Sequence, residues 1–362
     1  MKLGLVPLLL VWGIGGLPPS AQSAAPVAPD ALRPCCALGI DLRTSLFGVP
    51  VPWYRIPNVL DTQSLGHHHY NDSVMRSAGA VLDLGDEKNG LLVTRDGGIL
   101  DTAHIRDTAD NTFYLYQMIL PRLGQAFSLV LASELGQRHV VLRPFTPPTA
   151  MADRRLLAAR MAALIAFQLA EWHEIAQWYG YRSVPAMAET VSAFSPEDLY
   201  SNLLGARLSS ELLREPGAPA SAEDFNHRID RALRMYLAQA GVYPEAQARQ
   251  VLQQLDGVWW DSTRRLPDRR LVLQRNYQLG WVRTPMLPPN WPVSGRRLWL
   301  ASRWQGQPLS EYIQLQIWPD KSTPASLKAV VAQTFWTRDD FVHFATAAEQ
   351  REATWLAQSE QD

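Results

Sequence analysis

The stretch from Asp153 to Tyr179, DRRLLAARMAALIAFQLAEWHEIAQWY, is the strongest structural signal in the chain. Between Leu156 and Ala170 its only polar side chains are Arg160 and Gln168. A helix turns about 100° per residue, so these apolar positions cover most of its circumference and predict a central, buried helix. Asp153 marks its start and Gly180 lies just past its end. The last turns change character, with Glu171, His173 and Glu174 following the apolar run. Charge at the end of a buried helix must be exposed, paired or bound to a metal. Glu171 and Glu174 are spaced to share a face, whereas neighbours such as His173 and Glu174 diverge by about 100°. That allows His173 as a ligand with Glu174 as a base. The zincin pattern HExxH would require a second His where Gln177 stands, so a standard zincin is rejected. The plain alternative is a helix end emerging into solvent, with His173 beside Trp172.

Flanking segments fit a helical body. Ser195-Pro196-Glu197-Asp198 opens a helix to Leu213, with Ser195 at the N-cap, Pro196 in the first position and Asp198, less suited than Glu, in the reciprocal capping-box position. Capping accounts for Glu197 and Asp198 without chemistry. Helices follow over Ala222–Ala240 and Pro244–Leu255. Upstream, Gly90–Thr94 reads as a buried strand and Arg95-Asp96-Gly97-Gly98 as a turn leading into an amphipathic helix that Pro121 stops. The short runs Leu129–Ala132 and Val140–Leu142 have no readable period and fit strand or helix. From Arg270 to Trp318 the pattern is more strand-like, best at Leu298–Leu300 and Tyr312–Trp318; Ser326–Thr334 and Asp339–Trp355 return to helix. The expected fold class is α+β, a mainly helical central body with short N-terminal strands and a β-richer C-terminal part. Residues 35–255 form the helical core, and residues 256–362, ending in helices, pack on it as one compact unit.

The chain has 362 residues, with 34 Lys and Arg against 35 Asp and Glu, a balance that argues against gripping nucleic acid by charge. Lys2, the apolar run Leu3–Leu17 and the small residues Ser20, Ala21, Ser23, Ala24 and Ala25 have the layout of a secretory signal peptide. Cleavage after Ser23 leaves a linker over 24–34, and no later run is long enough for a membrane span. The expected location is periplasmic or secreted. Cys35 and Cys36 are the only cysteines. Arg33 and Pro34 before them do not make a lipobox, so a lipid anchor is not expected. The pair fits a strained vicinal disulfide or two buried thiols.

A second polar group comprises Asp101, His104 and Asp107, with Arg106 and Asp110, just beyond Gly97 and Gly98. If helical, the first three stay loosely on one side; if the start is extended, Asp101 caps the helix. Glycines before the junction permit close approach of a ligand to backbone. His67, His68 and His69 are consecutive, so at most two share a ligand. His139, His227 and His343 are isolated, and no GxSxG elbow signals a serine hydrolase.

Four segments resemble a family of exported bacterial proteins of unknown function: Arg33-Pro34-Cys35-Cys36-Ala37; Gly97-Gly98-Ile99-Leu100-Asp101-Thr102-Ala103-His104-Ile105-Arg106; Glu171-Trp172-His173-Glu174 with Trp178-Tyr179-Gly180; and Ser195-Pro196-Glu197-Asp198-Leu199-Tyr200-Ser201-Asn202-Leu203-Leu204-Gly205. The similarity covers much of residues 33–255. It implies a bacterial envelope protein in which the His104, His173-Glu174 and Glu197-Asp198 segments belong together, and it supplies no reaction.

The chemistry expected from these residues is metal-assisted hydrolysis. His104, His173 and Glu197 would hold zinc or another divalent metal, with Glu174 and Asp101 as catalytic carboxylates. Trp172, Trp178, Tyr179 and Asn202 would receive substrate, cell-wall glycan or peptide by location alone. Two alternatives stand beside it. One is a metal-free glycan-cleaving enzyme using Glu174 as general acid. The other is a non-catalytic envelope binding or scaffold protein presenting Trp259–Trp318 as aromatic platforms.

Overall fold

The structure is a computed structural model that describes residues 26–31, 33, 38–46, 49–52, 59–73, 85–183, 189–266 and 268–358. The expected signal peptide and Cys35 and Cys36 lie outside the described residues.

In chain order, β1 (Arg43–Leu46) and β2 (Val49–Pro52) form an antiparallel pair, as do β3 (Leu91–Thr94) and β4 (Gly98–Asp101). Gly98 adopts φ +64°, and a Cβ there would lie 2.7 Å from the Met286 carbonyl oxygen, so the turn between β3 and β4 requires glycine. β4 runs directly into α1 (Thr102–Ile119), where the Asp101 side chain accepts a hydrogen bond from the Ala103 amide at 2.7 Å. This is the extended-start alternative, with Asp101 as N-cap.

β5 (Phe127–Leu131) and β6 (Gln137–Leu142) are strands, which settles the two apolar runs whose period was unreadable. α2 (Met151–Trp178) follows, and every residue from Leu157 to Leu169 except Arg160 is buried. Next come α3 (Asp198–Leu213), α4 (Ala222–Ala240), α5 (Glu245–Leu255) and the short α6 (Arg269–Leu273). The C-terminal part carries β7 (Val282–Arg283), β8 (Leu298–Trp299), β9 (Arg303–Trp304), β10 (Gln307–Pro308) and β11 (Ile313–Trp318). It ends in α7 (Ala325–Lys328), β12 (Trp336–Thr337) and α8 (Arg338–Gln358). The helix expected over Ser326–Thr334 is therefore a single turn. β-Branched Val330 and Val331 lose side-chain freedom in a helix, and the chain must return to pair β12 with β11.

The protein is α+β. α1, α2 and α3 pack pairwise at its centre. A four-stranded antiparallel sheet in the order β12-β11-β6-β5 joins the C-terminal segment to the core, with His139 of β6 opposite Gln316 of β11. Inward positions of β11 alternate as a half-buried strand requires: Ile313, Leu315 and Ile317 are buried. α8 closes over α2, with Trp172 packed against Trp336, Phe341 and Phe344. Of the tryptophans from 259 to 318, Trp259, Trp260 and Trp304 are buried, while Trp299 and Trp318 are exposed. No described helix is long and apolar enough to cross a membrane.

Close approach of α1 and α3 depends on Gly205, where a Cβ would lie 2.0 Å from the Ile105 carbonyl oxygen. That contact is next to His104, so helix spacing and site geometry are one constraint. The N-terminal segment is fastened to α1 by a buried ionic clamp. Arg33 Nε meets Glu87 at 2.5 Å, and its Nη1 meets Asp107 at 2.7 Å and Asp110 at 2.8 Å. His68 Nε2 lies 2.8 Å from the same Asp110. Burial pushes the Glu87 carboxyl up, but the charges of Arg33, Arg106 and His68 outweigh it and hold the group well below the usual carboxylate range. Asp110 is likewise lowered, against burial, by Arg33 and His68.

Replacing Gly205 by Ala is expected to destabilise the fold by roughly 1–3 kcal/mol, because the helices cannot close over an added methyl; an unchanged urea midpoint would contradict this packing. Arg33→Met, which strands two buried carboxylates, should cost roughly 3–5 kcal/mol at neutral pH. Carboxylates held below their ordinary range stabilise the fold above about pH 4.5, and that contribution is lost as the pH falls and protons bind the unfolded chain first. The deficit of the variant should therefore shrink from pH 7 to pH 3 in urea denaturation. A deficit independent of pH would show that the clamp does not act through these charges.

Candidate functional site

Three helices each contribute one polar side chain to a single buried point. His104 sits on the first turn of α1, Glu174 near the end of α2, and Asp198 is the first residue of α3. One potential ligand atom from each lies within 4.8 Å of the other two. The closest pair is His104 Nε2 with Asp198 Oδ1, at 3.0 Å. Glu174 is 0% exposed, Asp198 1% and His104 8%, so the set lies inside the apolar body. Glu174 Oε1 and Asp198 Oδ1 and Oδ2 have no hydrogen-bond partner among the described residues. Buried carboxylate oxygens left in that state are costly unless something neutralises them.

Backbone geometry supports the cluster. Glu174 Oε2 accepts from the Phe194 amide at 2.6 Å, and Phe194 holds φ +58°. A bulky residue in the left-handed region costs of order 1–3 kcal/mol and persists only where its surroundings fix it. Here the Phe194 carbonyl accepts from the Asn276 amide at 2.8 Å and its ring packs on Tyr277. The segment thus keeps one backbone donor on Glu174 at the expense of strain.

The electrostatics follow from burial. Desolvation, with Asp198 beside it, pushes the Glu174 carboxyl up to about 8, against the opposing influence of His104. Glu197 is raised well above its ordinary range by burial and then by Asp198, although the Ser195 hydroxyl donates to its Oε2 at 2.7 Å. Glu197 Oε1 has no hydrogen-bond partner among the described residues. Arg283, nearly buried, is lowered to about 10 by desolvation while Glu171 and Glu174 pull it back. The arrangement is a compact acidic nest around one imidazole, suited to a divalent cation or to holding a proton near neutral pH.

The residues expected from the sequence divide accordingly. His104 and Glu174 come together, and Glu197 lies in the same electrostatic neighbourhood. His173 does not join His104: its Nδ1 lies 3.4 Å from Glu134 Oε1, which also pairs with Arg138 of β6 at 2.9 Å. Burial lowers the His173 imidazole, but Glu134 more than offsets it and raises the group to about 9. This placement follows from the divergence of neighbouring residues on a helix, and it removes His173 from the proposed ligand set. Glu171 is also elsewhere, accepting from Arg338 at 3.2 Å and from the Gly280 amide at 2.9 Å.

Asp101 is occupied as the cap of α1, and its own amide donates to Ser201 Oγ at 2.9 Å. Trp172 is fully buried and donates from Nε1 to the Glu134 carbonyl at 2.8 Å, so its place is in the core rather than against a substrate. Trp178 donates to Glu352 at 3.1 Å and Tyr179 to the Phe344 carbonyl at 3.3 Å, which ties both to α8. Asn202 is buried next to the His104 ring, Nδ2 to Nδ1 3.4 Å, so it supports a site residue instead of facing solvent. Of the three histidines at 67–69, His68 belongs to the Arg33 clamp.

Asp198 is the residue that sequence reasoning set aside. Its capping explanation fails, because the Ser195 hydroxyl serves Glu197 and α3 begins only at Asp198. The signal was present in the imperfect capping box, where an Asp occupied the position that favours Glu or Gln.

Among the known proteins compared, no curated sequence and no solved structure matches the chain. A family described as "Protein of unknown function (DUF4056)" matches residues 23–289, a span that contains His104, Glu174 and Asp198. The chain belongs to this family.

Proposed function

We propose that the chain is a metal-dependent hydrolase of the cell envelope in which His104, Glu174 and Asp198 hold one divalent cation, with cell-wall glycan or peptide as substrate. The observation that carries this is the convergence of three ligand atoms within 4.8 Å, from three helices, with three of the buried carboxylate oxygens left without a hydrogen-bond partner among the described residues. One imidazole and two carboxylates suit zinc and leave coordination positions for water and substrate. Bound there, the cation would supply an acidified water as nucleophile. The chain's own part is to fix the ligands on rigid helices and to bury Glu197 next to Asp198, where desolvation favours its protonated form. We assign Glu197 as proton donor to the leaving group. The envelope location is supported by the apolar leader at Leu3–Leu17, and the substrate class rests on that location.

A metal-free reading has one specific observation in its favour: Glu174, raised to about 8, would be protonated at neutral pH as a general acid must be. Metal content separates the two. Purified protein dialysed against zinc should retain about one ion per chain, and His104→Ala and Asp198→Asn should lose it together with cleavage of wall fragments. Cleavage that persists without metal yet disappears in Glu174→Gln would establish the metal-free acid. Binding undiminished in both ligand variants would remove the site.

Crowded acids at a functional site also oppose folding. Glu174→Gln keeps an acceptor for the Phe194 amide while removing an ionisable group whose charged form burial disfavours. Without metal its stability should equal or exceed that of wild type by up to about 1 kcal/mol in urea denaturation, whereas an ordinary core carboxylate lost from an ion pair would cost several.

A further inference from the structure

The two nitrogens of the His104 ring face groups of opposite character. Nε2 lies 3.0 Å from Asp198 Oδ1, a carboxylate oxygen at ion-pair distance and outside hydrogen-bond geometry, and Nδ1 lies 3.4 Å from Asn202 Nδ2, an obligate donor. A neutral imidazole has one N–H and one lone pair, so these partners select the tautomer protonated on Nε2. In that orientation the Thr108 hydroxyl donates to Asn202 Oδ1 at 2.5 Å. Asn202 is 3% and Thr108 2% exposed, so the chain of contacts is shielded from bulk water.

A cation at Nε2 is incompatible with that tautomer. It must be met by the lone pair, so the ring proton has to sit on Nδ1. Nδ1–H would then face the Asn202 NH2 group, donor against donor. A half-turn of the amide about its last torsion resolves the conflict. Oδ1 then accepts from Nδ1–H, and the NH2 group donates to the Thr108 hydroxyl oxygen, which accepts as readily as it donates. A primary amide carries donor and acceptor on opposite sides of one planar group, and a hydroxyl can answer either. Asn202 with Thr108 therefore satisfies the ring in both states without rebuilding the core.

We propose that Asn202 is a positioning residue whose amide turns over, relayed by Thr108, when a divalent cation takes the Nε2 lone pair of His104. This rests on the metal reading above and adds the group that orients the ligand. A histidine bound to metal through one nitrogen ordinarily donates from the other, and loss of that acceptor weakens metal binding roughly 10–100-fold.

The test uses the whole protein with ring-15N histidine and zinc as probe. In wild type, His104 Nδ1 should be unprotonated without zinc and protonated with one equivalent. Zinc affinity should fall roughly 10–100-fold in Asn202→Ala and be retained in Asn202→Asp, which offers an acceptor in either orientation. Should Asn202→Ala fail to fold, the wild-type tautomer comparison decides the matter. Zinc binding to wild type without a change of tautomer, or equal affinity in wild type and Asn202→Ala, would overturn this proposal alone. A wild-type chain that takes up no zinc would overturn the metal reading and this proposal with it.

Discussion

Two carboxylates and an imidazole buried at the meeting point of three helices impose the central constraint on this chain. Like charges in a low-dielectric interior repel strongly, so Glu174 and Asp198 can lie close only if one carries a proton or a cation stands between them. Everything that positions them is rigid. The apolar turns of α2 anchor Glu174, β4 and the Asp101 cap set the start of α1, and the bare Cα of Gly205 lets α3 bring Asp198 to His104. Phe194 adds a strained backbone whose amide is spent on Glu174. Strain and uncompensated charge coincide at one place, a pattern of sites shaped for binding or chemistry rather than for stability.

The Arg33 clamp is the instructive contrast. It too is buried and ionic, a turn farther along α1, and it includes three acids. Yet its cation is part of the chain. Arg33 reaches Glu87, Asp107, Asp110 and the His69 carbonyl, and the acids it touches are satisfied from within the protein. A structural network carries its own full counter-charge, whereas the His104 cluster sets two buried carboxylates against one imidazole, with Arg283 acting on Glu174. That difference, and not the number of acids, makes the second cluster a candidate for an ion.

Much of the fold could be read from the chain because the relevant signals were local. The apolar circumference of the segment from Asp153 to Tyr179 required a buried helix, and α2 begins and ends within a few residues of the expected limits. Leu129–Ala132 and Val140–Leu142 were ambiguous because a short apolar run has no period; only pairing with β11, far along the chain, makes β6 a central strand. Ser326–Thr334 misled because its helix-like composition competes with the pairing of β12.

The site was half readable. His104 and Glu174 stood out as polar residues in apolar company. His173 and Trp172 stood out equally, but a 100° step carries them to other surfaces, one toward Glu134 and the other into the core beneath α8. Asp198 was hidden by a local explanation, capping, that the tertiary contact overrides. The most direct measurement is a crystal structure of the full chain grown with zinc, recorded at the zinc absorption edge. An anomalous peak bonded to His104 Nε2 and to oxygens of Glu174 and Asp198 is the predicted result. A peak elsewhere, or these three side chains directed to separate surroundings, would contradict the account.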